Sequence, residues 1–359
     1  MARMTARWDY WGADGKGRLY YDPEGDNTCY VQRLAPAGTT MRPAFEGAGR
    51  TGIFRGLTLC GIWKRIWQEG NMFGFWRGKG REKDLQRKGL RRGVSLGIGM
   101  SLLILFCWWQ NNGLTVGRYE YRAPAVSKDL DGYTIVHLSD LHSQRFGAGQ
   151  SGLLKLVEGL EPDLILLTGD LVDRNRTRLT PALELAEGAA KLAPVFYVTG
   201  NHEWSISNRE REELLDGLSR AGAVLLDDRW TVLDVGESRL VLAGLSDQSL
   251  RNSTAGTLME GVPEELTILL AHEPQFFTWY ASAGADLVFS GHAHGGQIRL
   301  PLVGGLYAPG QGFLPRLTQG LYEVGDTAMV VSRGLGNSTF PLRVFNRPEV
   351  AVLTLRSGT

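Results

Sequence analysis

An α/β domain with two sheets, placed behind one apolar helix, is the architecture this 359-residue sequence predicts. From about Tyr119 onward, short Val/Ile/Leu runs closed by polar residues alternate with amphipathic segments. Such continuous runs suit strands covered on both faces. Upstream, Gly93 to Trp109 is an uncharged run of seventeen residues. With 43% hydrophobic content, the chain can bury a core of about 200 to 250 residues and still leave an appendage.

Residues 1–75 mix glycine, arginine and tryptophan without a hydrophobic period and read as a poorly ordered extension. Met72 is a sensible initiator within it. The stretch "GFWRGKG" is too short for a phosphate-binding loop and lacks its Ser/Thr. Residues 76–92 form a basic flank, in which Arg77, Lys79, Arg81, Lys83, Arg87, Lys88, Arg91 and Arg92 face only Glu82 and Asp84. The run at 93–110 ends in Trp108 and Trp109 and predicts a transmembrane anchor or uncleaved signal, with a buried core helix as the alternative. By the positive-inside bias, the flank stays cytoplasmic and the domain at 118–359 is extracytoplasmic. The Arg91–Arg92 pair also raises twin-arginine export.

Five strands are expected in "YTIVHLSDLH", "DLILLTGDLVD", "VFYVTGNHEW", "LTILLAHEP" and "DLVFSGHAH". Helices are expected in "SGLLKLVEGL", "TPALELAEGAAKL", with a Thr180–Pro181 start, and "REREELLDGLSRAG". The β-α-β-α-β order argues for an α/β fold. "WTVLDVGESRLVLAGL" and "GDTAMVVSRGL" then supply further strands of a second sheet.

The formal charge of +1 excludes a global basic field, so no nucleic-acid partner is expected. The cysteines are Cys29, Cys60 and Cys107, so a metal in the C-terminal domain must have nitrogen and oxygen ligands. All six histidines, His137, His142, His202, His272, His292 and His294, fall at or near strand C-terminal ends. That edge is where open α/β sheets bind ligands. Asp140, Asp170, Asp173 and Asn201 accompany them.

The ordered blocks "SDLH", "GDLVD", "GNHE", "AHEP" and "GHAHGG" resemble the calcineurin-like metallophosphoesterases. The continuation through "VSRGLGNS" and "PLRVFNRPEV" resembles their membrane-anchored branch, typified by bacterial YkuE and YaeI proteins. The resemblance implies a four-layer αββα sandwich behind one N-terminal transmembrane helix, and two-metal hydrolysis of phosphate esters. It implies that Asp140, His142, Asp170 and His294 hold one ion, and that Asp170, Asn201, His272 and His292 hold the other. It also implies that His202 is the catalytic acid. Such chemistry needs two cations about 3.5–4 Å apart and a bridging carboxylate. The mixed donors favour Mn, Fe or Zn over Mg or Ca without choosing among the three, and Mn is the ion expected. Two divalent ions against two carboxylates leave a positive site suited to an anionic substrate.

Asp173 is expected to support a ligand, His137 to be a hydrogen-bonded core residue, and Glu203 to face solvent or support a ligand. Arg299 and Arg333 are candidate phosphate clamps. The substrate expected is a phosphodiester or pyrophosphate of the membrane or envelope, including a nucleotide-activated diacylglucosamine precursor of lipid A. The alternatives are a phosphomonoesterase or protein phosphatase, and a catalytically silent envelope-binding protein. The "GGQIRLPLVGGLYAPGQG" segment, with Leu306 and Tyr307, is either an apolar lip for a lipid tail or a strand-turn-strand completing the second sheet.

Overall fold

The computed structural model describes residues 6–12, 15–21, 29–33, 79–252, 258, 260–337 and 340–358, with side chains from Arg91 onward. The chain divides into two units, Met1–Gly78 and Lys79–Thr359. In the first, strands β1 (Ala6–Gly12), β2 (Gly15–Tyr21) and β3 (Cys29–Arg33) form an antiparallel sheet, where the sequence reading assigned no strand. Met72 and "GFWRGKG" lie outside the described residues.

The second unit opens with helix α1 (Lys79–Asn112), which runs unbroken from the basic flank through the apolar run. Its segment Arg91–Asn112 has a mean hydropathy of 1.5 over the most apolar window. Twenty-two residues rise about 33 Å, enough for a hydrocarbon layer about 30 Å thick. Leu96, Leu102, Ile104 and Trp108 are exposed along it, so the buried-core alternative does not describe this helix.

Six strands build the first sheet: β4 (Thr115–Ala123), β5 (Thr134–Leu138), β6 (Leu164–Thr168), β7 (Val195–Val198), β8 (Ala223–Leu225) and β19 (Glu349–Ser357). Their order is β4-β19-β5-β6-β7-β8. The second sheet has the order β17-β18-β12-β11-β10-β9. Its members are β9 (Arg229–Val235), β10 (Ser238–Leu245), β11 (Leu266–Ala271), β12 (Leu287–Ser290), β17 (Gly320–Val324) and β18 (Thr327–Val331). All five strands expected to end in the polar motifs are present, as β5, β6, β7, β11 and β12.

Alternation explains why these strands read as continuous apolar runs. In β6, Leu164 and Leu166 join a core with Leu242, Ile268, Leu270 and Phe289 from the second sheet. Ile165 and Leu167 belong to a separate core built with helices α2 (Ser151–Glu158), α3 (Thr180–Ala189) and α5 (Asn208–Arg220). A third core covers the other face of the second sheet with α6 (Asp247–Arg251) and α7 (Phe277–Ser282). The layers therefore run helix, sheet, sheet, helix, as expected. Between α3 and α5 lies the short helix α4 (Asn201–Ser205).

Two features differ from the sequence reading. The pairing of β4 with β19 begins at Thr115, three residues before the expected boundary, and was not assigned. The segment after His294 forms two separate hairpins, β13 (Arg299–Leu300) with β14 (Gly304–Gly305) and β15 (Tyr307–Ala308) with β16 (Gly312–Phe313). These do not complete the second sheet.

Truncating Leu166 between the sheets removes contacts that no neighbour can replace. Leu166→Ala should lower the unfolding free energy by about 2–5 kcal/mol, read as a lower urea midpoint with an unchanged slope. A shift below about 0.5 kcal/mol would place this residue outside the main core.

Candidate metal centre

Each of five strand ends delivers one part of the site. Asp140 and His142 follow β5, Asp170 follows β6, Asn201 follows β7, His272 follows β11, and His292 and His294 follow β12. Five of these residues hold positive φ: Asp140 at 54°, His142 at 45°, Asp170 at 52°, His292 at 64° and His294 at 47°. That conformation costs about 1–3 kcal/mol per non-glycine residue and persists only where the surroundings over-determine it. Flanking glycines make the turns possible. A Cβ on Gly200 would stand 2.4 Å from Asp170 Oδ1, and one on Gly291 would stand 1.9 Å from Ser139 Oγ.

The side chains converge in two groups that meet at Asp170. In the first, His142 Nε2 lies 3.2 Å from His294 Nε2, 3.9 Å from Asp140 Oδ1 and 3.7 Å from Asp170 Oδ2. In the second, His272 Nε2 lies 3.2 Å from Asp170 Oδ2 and 3.1 Å from His292 Nδ1. Asp140, His142 and His294 form one buried set able to hold an ion, and Asp170, His272 and His292 another.

The donor chemistry fits transition-metal ions. His272 Nδ1 donates to Thr168 O over 2.7 Å, so Nε2 faces Asp170. Burial opposes a charged ring there, but the Asp170 carboxylate outweighs it and raises His272 well above the usual imidazole range, and a bound cation would take the place of that Nε2 proton. Asn201 Oδ1 is buried without a hydrogen-bond partner among the described residues, an orphaned acceptor that a cation would satisfy. Burial holds His142, His292 and His294 well below the usual imidazole range, so each ring is neutral with a lone pair to give. Burial pushes Asp140 up to about 6. Burial also opposes ionisation of Asp170, but the imidazoles of His272 and His202 outweigh it and hold this carboxyl well below its usual range.

His202, on α4, accepts the Arg174 N–H at Nδ1 over 3.1 Å, so its neutral ring carries the proton on Nε2. That atom lies 3.9 Å from Asp170 Oδ2. Asp173 Oδ2 lies 3.9 Å from His142 Nδ1, while its Oδ1 accepts from the backbone of Asn175 and Arg176. His137 is a core residue: its Nε2 lies 2.7 Å from Thr168 Oγ1 and its ring meets Phe289 edge-on. Arg299 donates to Gly295 O and Thr318 Oγ1, and Arg333 N–H to Glu349 Oε2.

Glu203 departs from the solvent-facing option. It is fully buried, and its carboxylate accepts from the backbone N–H groups of Asp170, Leu171, Val172 and Gly200. The loops after β6 and β7 are thereby tied to one side chain. Part of the signal was present: in "GNHE" a glutamate stands three residues after Gly200, the residue that caps α4, which is the glutamate half of a capping box. Two further residues carried no such signal. Arg343, fully buried, donates to Arg333 O, Asn346 O and Gly336 O. Asn346 Nδ2 donates to His294 O and Gln297 O.

The profile of the calcineurin-like phosphoesterase family matches residues 133–296. The metallophosphoesterase YkuE of Bacillus subtilis is 30% identical over 246 residues, 66% of this chain and 83% of that protein. The phosphodiesterase YaeI of Escherichia coli is 32% identical over 226 residues, 62% of this chain and 82% of that protein. A transmembrane protein with metallophosphoesterase domain from Bos taurus is 31% identical over 255 residues, covering 64% of this chain and 54% of that protein.

Glu203→Gln tests the hub on which both loops hang. The new amide NH₂ would confront two backbone donors it cannot accept from, so stability should fall by about 2 kcal/mol or more. Chemical denaturation measures this, and unchanged stability would mean the four N–H groups find acceptors elsewhere.

Proposed function

The chain belongs to the calcineurin-like phosphoesterases, and from that premise we propose a two-metal phosphodiesterase, anchored by α1, that acts on phosphate esters carried by or held near a membrane. The carrying observation is that one carboxylate oxygen, Asp170 Oδ2, stands between two buried ligand sets. Asp140, His142, Asp170 and His294 would hold one ion, and Asp170, Asn201, His272 and His292 the other. Imidazole, amide and carboxylate donors together support Mn, Fe or Zn without choosing among them, and Mn is the ion we propose. When bound, such a pair supplies charge to a phosphoryl group and acidifies water beside it.

The protein's own groups do the rest. Asp170 Oδ1 accepts the His202 N–H over 2.8 Å, which ties the acid's backbone to the bridging carboxylate. The Arg174 N–H fixes the tautomer of His202, so Nε2–H is presented to the departing oxygen as a hydrogen-bond donor to its developing charge. Full proton transfer takes the imidazolium, in which Nδ1 also carries a proton and gives up its bond from Arg174. The strained turns at Asp140, Asp170, His292 and His294 hold ligand atoms in place before substrate arrives, so little reorganisation is needed during reaction. YaeI's name, phosphodiesterase, supports the diester preference. The exposed apolar length of α1 and the transmembrane relative support the anchor, and the basic flank supports an extracytoplasmic domain.

Chelation should abolish hydrolysis of a chromogenic phosphodiester, and added manganese should restore it. Asp170→Ala should lose both ions by elemental analysis; a single equivalent in active wild type would reject the paired site. His202→Ala should keep its metals while kcat falls on the order of 10²–10⁴, with a smaller fall for good leaving groups. A poor leaving group cleaved at the wild-type rate would remove His202 from the acid role. A reporter fused after Thr359 should be active only outside the cytoplasm, and cytoplasmic activity with the helix intact would reverse the topology.

A further inference from the structure

The last turns of α1 are built into the loop that supports the candidate metal centre. Asn111 Oδ1 accepts from Asn337 Nδ2 and from the Arg343 N–H. Gln110 Oε1 accepts the Asn346 N–H, and Asn346 in turn holds His294 O. The Arg347 guanidinium lies 4.6 Å over the Trp109 ring and donates to Gly113 O and Leu114 O. Phe345 packs edge-on against Phe106, ring centroids 5.8 Å apart. Phe106 is six residues before the end of α1, or about 9 Å back along its axis. If Arg91–Asn112 spans a bilayer, Phe106 lies at the boundary of the hydrocarbon, and Phe345 lies there with it.

A row of exposed apolar side chains continues from Phe345. The Arg299 N–H bonds Val344 O, which places the β13–β14 hairpin beside it, and Gln297 Nε2 bonds Phe340 O. Leu302 at the hairpin tip is 108% exposed, Phe313 83% and Phe345 57%. Leu302, Leu314 and Phe345 also hold positive φ, at 66°, 54° and 51°, where a glycine would be unstrained. Bulky apolar residues kept exposed at strained positions call for a partner that water is not. The charge agrees with a lipid partner: residues 287–322 and 327–348 contain no Asp or Glu, and with Arg343 buried on backbone carbonyls they leave Arg299, Arg316, Arg333 and Arg347 as their cations.

We infer that this surface, from Phe345 and Phe340 through the Leu302 hairpin to Phe313, sits in the headgroup layer of the bilayer that α1 crosses, with the partner being the lipid surface itself. The inference rests on the anchor reading, not on the phosphoesterase chemistry. Seated so, the edge carrying His292 and His294 is held within reach of lipid phosphates.

The test uses the full chain with Cys29, Cys60 and Cys107 replaced by serine, reconstituted in vesicles of phosphatidylcholine and phosphatidylglycerol. Single cysteines replace Ile104, Leu302, Phe340 or Glu237 in turn and carry an environment-sensitive fluorophore. Acyl-chain-brominated lipid should quench the labels at 302 and 340 as well as at 104, and aqueous iodide should quench only the label at 237. Quenching by bromolipid at 104 alone, with 302 and 340 open to iodide, would overturn the lipid seat and leave the anchor standing. Labels at 302 and 340 shielded from both quenchers would overturn it in favour of contact with a second copy of the chain. No bromolipid quenching at 104, 302 or 340 would overturn the anchor and the seat together.

Discussion

The Asp170 carboxylate is buried against the imidazoles of His142, His202 and His272, and the surrounding turns are shaped to keep it there. Its Oδ1 is used up by the His202 N–H, so Oδ2 alone faces both ligand sets. Its backbone N–H is held by Glu203, which also ties Gly200 and so fixes the loop that carries Asn201. A buried charge of this kind is tolerated only when it is paired and hydrogen-bonded. The two-sheet sandwich meets that condition by ending five parallel-running strands at one edge, so that short turns rather than long loops deliver every partner.

The cost of this arrangement is visible in the backbone. Positive φ at five of the ligand-set residues is strain that packing must offset. The offset comes from the four layers: apolar strand runs on both faces make the strand ends rigid platforms. Stability and chemistry are therefore linked in one direction. The core does not need the metal residues, but those residues need the core to remain in their turns.

How much was legible follows from what each contact asks of the sequence. Asp140, His142, Asp170, Asn201, His272, His292 and His294 stood out because they sit at the ends of apolar runs, four of them, Asp170, Asn201, His292 and His294, beside a glycine, a local signal. The sandwich was legible because the β6 and β11 runs have no polar alternation. The β4–β19 pairing was not, since its register joins Thr115 to Glu349 across most of the domain and no local pattern encodes such a partner. Arg343 was missed for a related reason: its bonds go to backbone carbonyls, which every residue has, so the positions it binds carry no mark. Glu203 was legible only in part: a glutamate after "GNH" is as compatible with solvent as with support of a ligand, and nothing local marks the four backbone N–H groups it gathers from two loops.

The join between helix and domain bears on the proposal that the substrate is held near a membrane. Only Gly113 and Leu114 separate α1 from β4, and both give their carbonyls to Arg347. A two-residue connection held at both carbonyls is not a flexible tether, so the domain cannot sample orientations as a freely linked enzyme would. The Gln110 and Asn111 side chains add bonds to the loop bearing Asn346, which supports His294. The orientation of the metal-ligand edge is thus set by the helix axis. For a substrate that is itself confined to the bilayer, a fixed orientation converts a three-dimensional search into a lateral one and lowers the entropy lost on binding. For a freely diffusing phosphate ester the same rigidity brings no advantage, and a longer, looser linker would serve as well. The polar residues Gln110 and Asn111, placed where an apolar span ends and spent on the loop that supports His294, support the membrane-held substrate proposed above.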